Sequence, residues 1–274
     1  MAEFVKKLKQ RYAYSTILLR QMVITDFKLR YQGSVLGYVW SLLRPLFLFV
    51  ILYFVFAEFL NIGKDIPHYP VYLLVGIVLW NFFAEITSNG VSAVVSQGDL
   101  IRKLNFPKYV IILAAAVSAL INLALNLIII AIFLAFNHVD IQFAAIFAPL
   151  YIFEIFVFAI ALAFILSTLF VRLRDINYIW EVIMQAAFYA TPIIYPLTKV
   201  SERSPELAKL LLINPVAQAI QDVRYGLVTN QTQTIWSVLH SPVIKALPFI
   251  IVLAAFVFAV LFFKKRSPYF AEDV

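Results

Sequence analysis

The segment TPIIYPLTKVSERSPELAKLLLINPVAQAIQDVRYG (191–226) decides how the chain is read. A hydrophobic run ends in TPIIYP (191–196). Two short apolar helices are then expected, SPELAKLLLIN (204–214) and NPVAQAIQDVRYG (214–226). Each opens with a polar cap followed by proline, at Ser204–Pro205 and Asn214–Pro215. A cap side chain accepts a hydrogen bond from the first helical turn, and proline lacks the N–H that would be orphaned there. Gly226 is the expected stop. Each helix has about ten residues, roughly half of what a bilayer crossing needs. They are too apolar for a free loop and too short to span, so they should dip into, or lie on, one membrane face beside a pathway.

The rest of the chain agrees with a membrane setting. It is 63% hydrophobic and only 14% charged, with a mean hydropathy of +0.91; soluble domains are about 45–50% apolar. The expected fold is an all-α integral membrane protein, one transmembrane domain over 1–274. Six spans are expected at about 37–60, 71–95, 109–136, 144–170, 178–196 and 243–263, each near the roughly 20 residues a crossing takes. Residues 1–36, 96–108, 171–177 and 264–274, with Arg44, hold 16 of the 22 Lys and Arg. The positive-inside rule puts that side, and both termini, in the cytoplasm. The short helices then face outward. Residues 10–32 are expected to form an amphipathic helix on the cytoplasmic surface, with Leu19, Val23, Phe27 and Tyr31 on one stripe. The N-terminus is basic, but no apolar run ending in small residues follows, so no cleaved signal peptide is expected.

Polar residues recur inside the spans at helical spacing. Asn81, Glu85, Asn89 and Ser92 share one face of the second span, and Ser118, Asn122 and Asn126 one face of the third. Two readings stand side by side: a hydrophilic lining for a polar substrate, or amides and hydroxyls that hold helices together. Glu154 and Glu181 are single acids in the fourth and fifth spans, and Glu154 reads as structurally paired. Tyr53, Phe82, Phe83, Tyr151, Phe188, Tyr189 and Tyr195 are rings that could face a pathway, where aromatic faces stack on sugars; residue by residue, packing and an interfacial belt are the favoured explanation. The segment GDLIRKLNFPK (98–108) has a helix start at Gly98–Asp99, an apolar side at Leu100, Ile101 and Leu104, and a stop at Pro107. It reads either as a docking helix for a soluble partner or as a solvated turn that sets topology.

Catalytic signatures are missing. There is no GxxxxGK[ST] loop to cradle ATP. His68, His138 and His240 make no metal spacing, there is no Cys, and no acid cluster of a membrane transferase stands out. No enzyme, cofactor, metal or nucleic-acid role is expected for the chain itself.

Several segments together resemble one family, the membrane permease subunit of ABC exporters for lipid-linked polysaccharides such as O antigen and wall teichoic acid. DFKLRYQGSVLGYVWSLLRPLF (26–47) resembles its surface helix and first span, and LIRKLNFPKYV (100–110) its coupling helix, with Lys103, Phe106 and Pro107. VRLRDINYIW (171–180) resembles its second cytoplasmic loop, with Arg174 and Asp175. TPIIYP (191–196) and 214–226 resemble the end of its fifth span and its outer helices, and YFAEDV (269–274) its ending. Gln32, where a basic residue is expected, and Arg44, before Pro45, depart from the pattern.

The resemblance implies a homodimer in the inner membrane of a bacterium, with two copies of an ABC ATPase that carry ATP and Mg. It implies an undecaprenyl-linked glycan as substrate. Gly98, Asp99, Leu100, Ile101, Arg102, Lys103, Leu104, Phe106 and Pro107 would meet the ATPase. Arg30, Arg44, Arg172 and Arg174 would hold the lipid pyrophosphate at the cytoplasmic entrance, since guanidinium binds phosphate bidentately. Tyr53, Asn81, Phe82, Glu85, Asn89, Tyr189 and Tyr195 would line the channel. Pro205, Leu210, Asn214, Pro215, Gln218, Gln221 and Gly226 would form its outer gate. An ABC exporter of a small drug or lipid, or a membrane glycosyl- or phosphotransferase, are the alternatives; an ion-coupled secondary transporter lacks its expected repeats and intramembrane cation–acid pairs.

Overall fold

The computed structural model describes residues 2–63, 66–103 and 106–273, with side chains except at 2–14, 30, 31, 271 and 273. Arg30 and Leu104 therefore lie outside the described side chains. Every regular element among the described residues is helical. Helix α1, Ala2–Tyr31, runs well beyond the expected 10–32 segment on its N-terminal side and packs along α5. Helices α2 (Trp40–Tyr53), α3 (Tyr69–Ser96), α4 (Gly98–Lys103), α5 (Tyr109–Phe136) and α6 (Ala148–Phe170) follow. The second half comprises α7 (Ile176–Ala190), α8 (Leu197–Arg203), α9 (Pro205–Ile213), α10 (Pro215–Leu227), α11 (Ile235–Val238), α12 (Pro242–Arg266) and α13 (Phe270–Asp273).

Five helical stretches among the described residues are long and apolar enough to cross a membrane: Gly37–Phe59, Tyr69–Ser96, Tyr109–Phe136, Phe143–Phe170 and Pro242–Tyr269. The first joins a short 3-10 turn, α2 and a π-helical stretch, Phe54–Phe59. The four of 28 residues would reach about 42 Å at 1.5 Å per residue, ample for a hydrocarbon core of about 30 Å. Residues 178–196 differ from the expected fifth span. They form the 15-residue α7, about 22 Å long, and then a turn at 191–196. Pro192 and Pro196 lack the N–H that would continue the helix.

The most deeply buried span is α3, against which α5, α6, α7 and α10 pack. In the core Phe82 stacks on Phe156 (6.1 Å) and Phe83 on Phe158 (6.0 Å). Helix α12 lies against α6, while α2 is largely exposed on its flank.

The two short helices form where their caps predict. The Ser204 hydroxyl accepts from the Leu207 N–H (3.4 Å), and Asn214 Oδ1 accepts from the Val216 N–H (3.0 Å). A third short helix, α8, precedes them. Gly226 is not the stop: α10 runs on to Leu227. Glycine is required there by close approach instead, because a Cβ would lie 2.8–2.9 Å from the backbone of Ala144 and Ala145. Gln142 N–H donates to the Gly226 carbonyl (3.1 Å) and fixes that contact.

Candidate functional site: a polar cavity between α2, α3 and α5

The polar stripes of the second and third expected spans face one another. α3 presents Asn81, Glu85, Ser88 and Asn89, α5 presents Asn122 and Asn126, and α2 closes the third side with Trp40, Ser41, Arg44 and Pro45. Together they enclose a cavity of about 490 Å³, within the range of small-ligand sites. Asn122 Nδ2 donates to Glu85 Oε1 (2.7 Å), and Asn126 Nδ2 donates to the Asn122 carbonyl (2.8 Å) and to the Ser41 carbonyl (3.4 Å). The two readings of these stripes are therefore both realised. The amides tie α5 to α2 and α3, and the same residues form the cavity wall.

Asn122 Oδ1 and the Ser118 hydroxyl are sealed in the helix contacts with no partner among the described residues; the polar groups open to the cavity are instead those of residues such as Asn81, Ser88 and Asn89. Arg44, exposed on the α2 wall, adds a guanidinium; the rings of Trp40 and Phe82 add flat apolar faces. The cavity thus offers amides, hydroxyls, one carboxylate and one guanidinium beside aromatic surface. That set suits a hydroxyl-rich ligand carrying a phosphate-like anion. It contains no nucleophile–base pair, and no group of three metal-ligating side chains occurs among the described residues.

Of the seven expected lining residues, Asn81, Phe82, Glu85 and Asn89 border this cavity, and Tyr53, Tyr189 and Tyr195 do not. Tyr53 packs between Phe49 (5.9 Å) and Tyr69 (6.5 Å). Tyr189 is exposed on α7. The Tyr195 hydroxyl donates back to the carbonyls of Tyr189 (3.1 Å) and Ala190 (3.2 Å), closing the end of α7. The expected arginines are dispersed within the protomer. Arg44 is on the cavity wall, Arg172 borders a separate pocket at the ends of α6 and α12, and Arg174 lies 5.3 Å over the Phe170 ring.

The outer segment divides in two. In α9, Leu210 and Pro205 are exposed. In α10, by contrast, Pro215, Gln218, Gln221 and Gly226 are buried against α3, α6 and α12, and Asn214 stays exposed at its cap. Arg224, one of the six Lys and Arg outside the segments assigned to the cytoplasmic side, is wholly buried. Its Nε donates to the Tyr72 carbonyl (2.9 Å), Nη1 to the Pro192 carbonyl (2.7 Å) and Nη2 to the Ile193 carbonyl (2.6 Å). Its guanidinium also stacks 3.7 Å from the Tyr72 ring centre. Gly76 makes room for it, since a Cβ would collide with Nη2. One side chain thereby locks α10 to α3 and to the turn that ends α7. The available signal was an arginine inside a short apolar helix, three residues after Gln221.

Glu154, expected to be paired, is buried with both carboxylate oxygens unpartnered among the described residues. It sits near Gln218 and Asp222, and the Gln218 amide donates to Asp222 Oδ2. Glu181 is exposed on α7.

At the opposite end, Gly98–Lys103 forms the expected short helix, α4. Asp99, Arg102 and Lys103 are exposed, whereas Gly98, Ile101 and Phe106 are buried. Ile101 and Phe106 belong to the main core, with Leu100 packed at its edge. Lys108 Nζ donates to the carbonyls of Ser267 (2.6 Å) and Pro268 (3.4 Å), and burial holds its pKa below the usual lysine value.

Comparison with known proteins relates the sequence to one transporter family. The family described as ABC-2 type transporter matches residues 17–228. An O-antigen export system permease protein RfbA of Myxococcus xanthus is 28% identical over 213 residues, 77% of this chain and 80% of that protein. A protein of the same name from Klebsiella pneumoniae is 28% identical over 215 residues, 78% of this chain and 81% of that one. The chain is a multi-pass membrane protein and belongs to the ABC-2 type transporter membrane family.

Proposed function

We propose that this protein is the permease subunit of an ATP-driven exporter that moves a lipid-linked polysaccharide of the O-antigen or teichoic-acid type across the inner membrane of a bacterium. The observation that carries the reading is the cavity between α2, α3 and α5. It joins sugar-compatible amides and rings to a phosphate-compatible guanidinium at Arg44. The names of the two relatives support the cargo class.

In this reading two copies form the channel, and α7 with the turn at 191–196 serves as a sixth crossing. Both termini face the cytoplasm, and α9 and α10 lie at the outer rim. Two ATPase subunits, holding ATP and Mg, meet α4 from the cytoplasm. Of the expected contact residues, exposed Asp99, Arg102 and Lys103 would touch the ATPase; buried Ile101 and Phe106 would anchor α4 in the permease. All bond breaking belongs to the ATPase. Arg44 would engage the pyrophosphate of an undecaprenyl-linked glycan, and Asn81, Glu85 and Asn89 would pass its hydroxyls.

Depletion of the protein tests the proposal. Undecaprenyl-linked glycan should accumulate in the inner membrane while the same polymer disappears from the cell surface. Unchanged pools on both sides would overturn it.

A further inference from the structure

Near the N-terminal ends of α6 and α12, a pocket of about 620 Å³ opens between α6, α10, α11 and α12. Its walls are rich in aromatic rings: Phe147 and Tyr151 at the start of α6, Tyr225 of α10, Trp236 of α11 and Phe249 of α12. Asp222 of α10 borders it too, although only 4% exposed.

Helical spacing builds the acidic side. Gln218, Asp222 and Tyr225 share one face of α10, and Tyr151 and Glu154 share one face of α6. The Gln218 amide donates to Asp222 Oδ2, and Glu154 sits beside that pair. Both Glu154 oxygens and the Gln218 amide oxygen are buried without a partner among the described residues. Arg224, two residues beyond Asp222, is turned the other way and occupied by the carbonyls of Tyr72, Pro192 and Ile193. No Lys or Arg among the described residues forms a salt bridge with either acid. A buried carboxylate is neutralised by a proton or by a bound cation. The ring faces favour the cation, because they attract an ammonium. A calcium ion would need several more hard oxygens than this wall presents.

The surroundings of the pocket suit the rest of a lipid headgroup. Lys245 Nζ lies 5.7 Å from the centre of the Trp236 ring, so a cation stands beside the pocket where a phosphate can meet it. Phe147, Leu150 and Trp236 are each more than half exposed, and they carry the apolar wall onto the surface at the end of a spanning helix. We propose that this pocket binds the protonated primary amine of a phosphatidylethanolamine headgroup. Asp222 accepts its N–H groups, Tyr151, Tyr225 and Trp236 surround it, and Lys245 meets the phosphate. The site is separate from the cavity between α2, α3 and α5.

The test uses native mass spectrometry of the full-length permease in detergent, titrated with phosphatidylethanolamine or with phosphatidylcholine of the same chains. The methylated headgroup keeps the charge and the phosphate but has no N–H for Asp222. The wild type should bind the first phosphatidylethanolamine about tenfold more tightly, the worth of a hydrogen bond to a charged group; equal affinities would overturn the proposal. Asp222→Asn should remove that preference, and a D222N protein that elutes as wild type and keeps it would also overturn the proposal. Trp236→Leu, at an exposed position, should weaken both lipids by about threefold. Should D222N fail to elute as wild type, W236L decides, and unchanged binding there counts against the site. Glu206→Gln, outside the pocket, should change nothing; a loss equal to that in D222N would reduce the effect to general surface charge and overturn the site. Phosphoethanolamine at millimolar concentration should fail to displace the lipid; full displacement would overturn the lipid assignment in favour of a free amine. Because lipid binding is read without export, the result is independent of the proposed cargo.

Discussion

Arg224 shows how a single residue can hold a membrane fold together. Its charge is removed from water entirely, yet three backbone carbonyls and one ring accept it. Truncation to methionine leaves those buried carbonyls without their donor. The expected cost is about 2–4 kcal/mol, from the desolvation of unsatisfied polar groups. It should appear as a lower midpoint of thermal unfolding in detergent, and a Gly76→Ala variant should fall in the same direction because its methyl displaces the guanidinium. An R224M protein as stable as wild type would refute this account. At the cavity, Asn81 and Asn89 border open space while Ser118 is sealed in the helix contact. Cysteines at Asn81 and Asn89 should therefore react with a water-soluble thiol reagent much faster than one at Ser118. Equal protection at all three would make the stripe helix glue alone. Arg44→Gln should lower polymer export without lowering membrane insertion, measured by surface polymer against the amount of permease in membranes. The sequence placed Asn81, Glu85 and Asn89 on one face by spacing alone. It could not place Tyr195, because a hydroxyl that folds back on its own helix end depends on the turn at 191–196.

Among the elements, α4 and α10 carry the clearest contrast between pattern and environment. Both are short helices with apolar residues on one side, and spacing gives their start points. Burial then separates their residues into anchors and contacts. Phe106 is buried, so Phe106→Asp should reduce the folded yield by forcing a carboxylate into the core. Arg102→Glu with Lys103→Glu should preserve yield and weaken co-purification of the ATPase. If the charge reversal leaves the complex intact while F106D alone breaks it in a folded protein, the docking face of α4 is the opposite one. For α10 the sequence supplied the cap at Asn214 and the length, whereas its depth came from packing. Gly226 illustrates the difference: glycine near a helix end suggests a stop, yet here it admits the backbone of residues 144–145.

For the whole molecule, the exposed apolar side of α7 matters most. Tyr178, Val182 and Tyr189 are exposed on this helix, and Met184 alone is buried. At about 22 Å it is shorter than the hydrocarbon core of about 30 Å, so it needs protein neighbours beyond α3 and α6 to be stable there. A second copy supplies them in the proposed dimer. A single cysteine at Val182 should then cross-link two protomers with a short bifunctional reagent, detected as a dimer on a denaturing gel; a monomer alone would place α7 against lipid. The sequence by itself determined the membrane setting, the all-helical fold, most of the long apolar helices, the caps of α9 and α10 and the two polar stripes. These follow from composition and period, which are local. Only the tertiary structure decided that the stripes close one cavity with α2, that Arg224 is a buried lock, and that Tyr151 and Asp222 share a pocket. Each of those brings together side chains from helices far apart in the chain, and periodicity fixes which face of a helix is polar but not which other helix that face will meet.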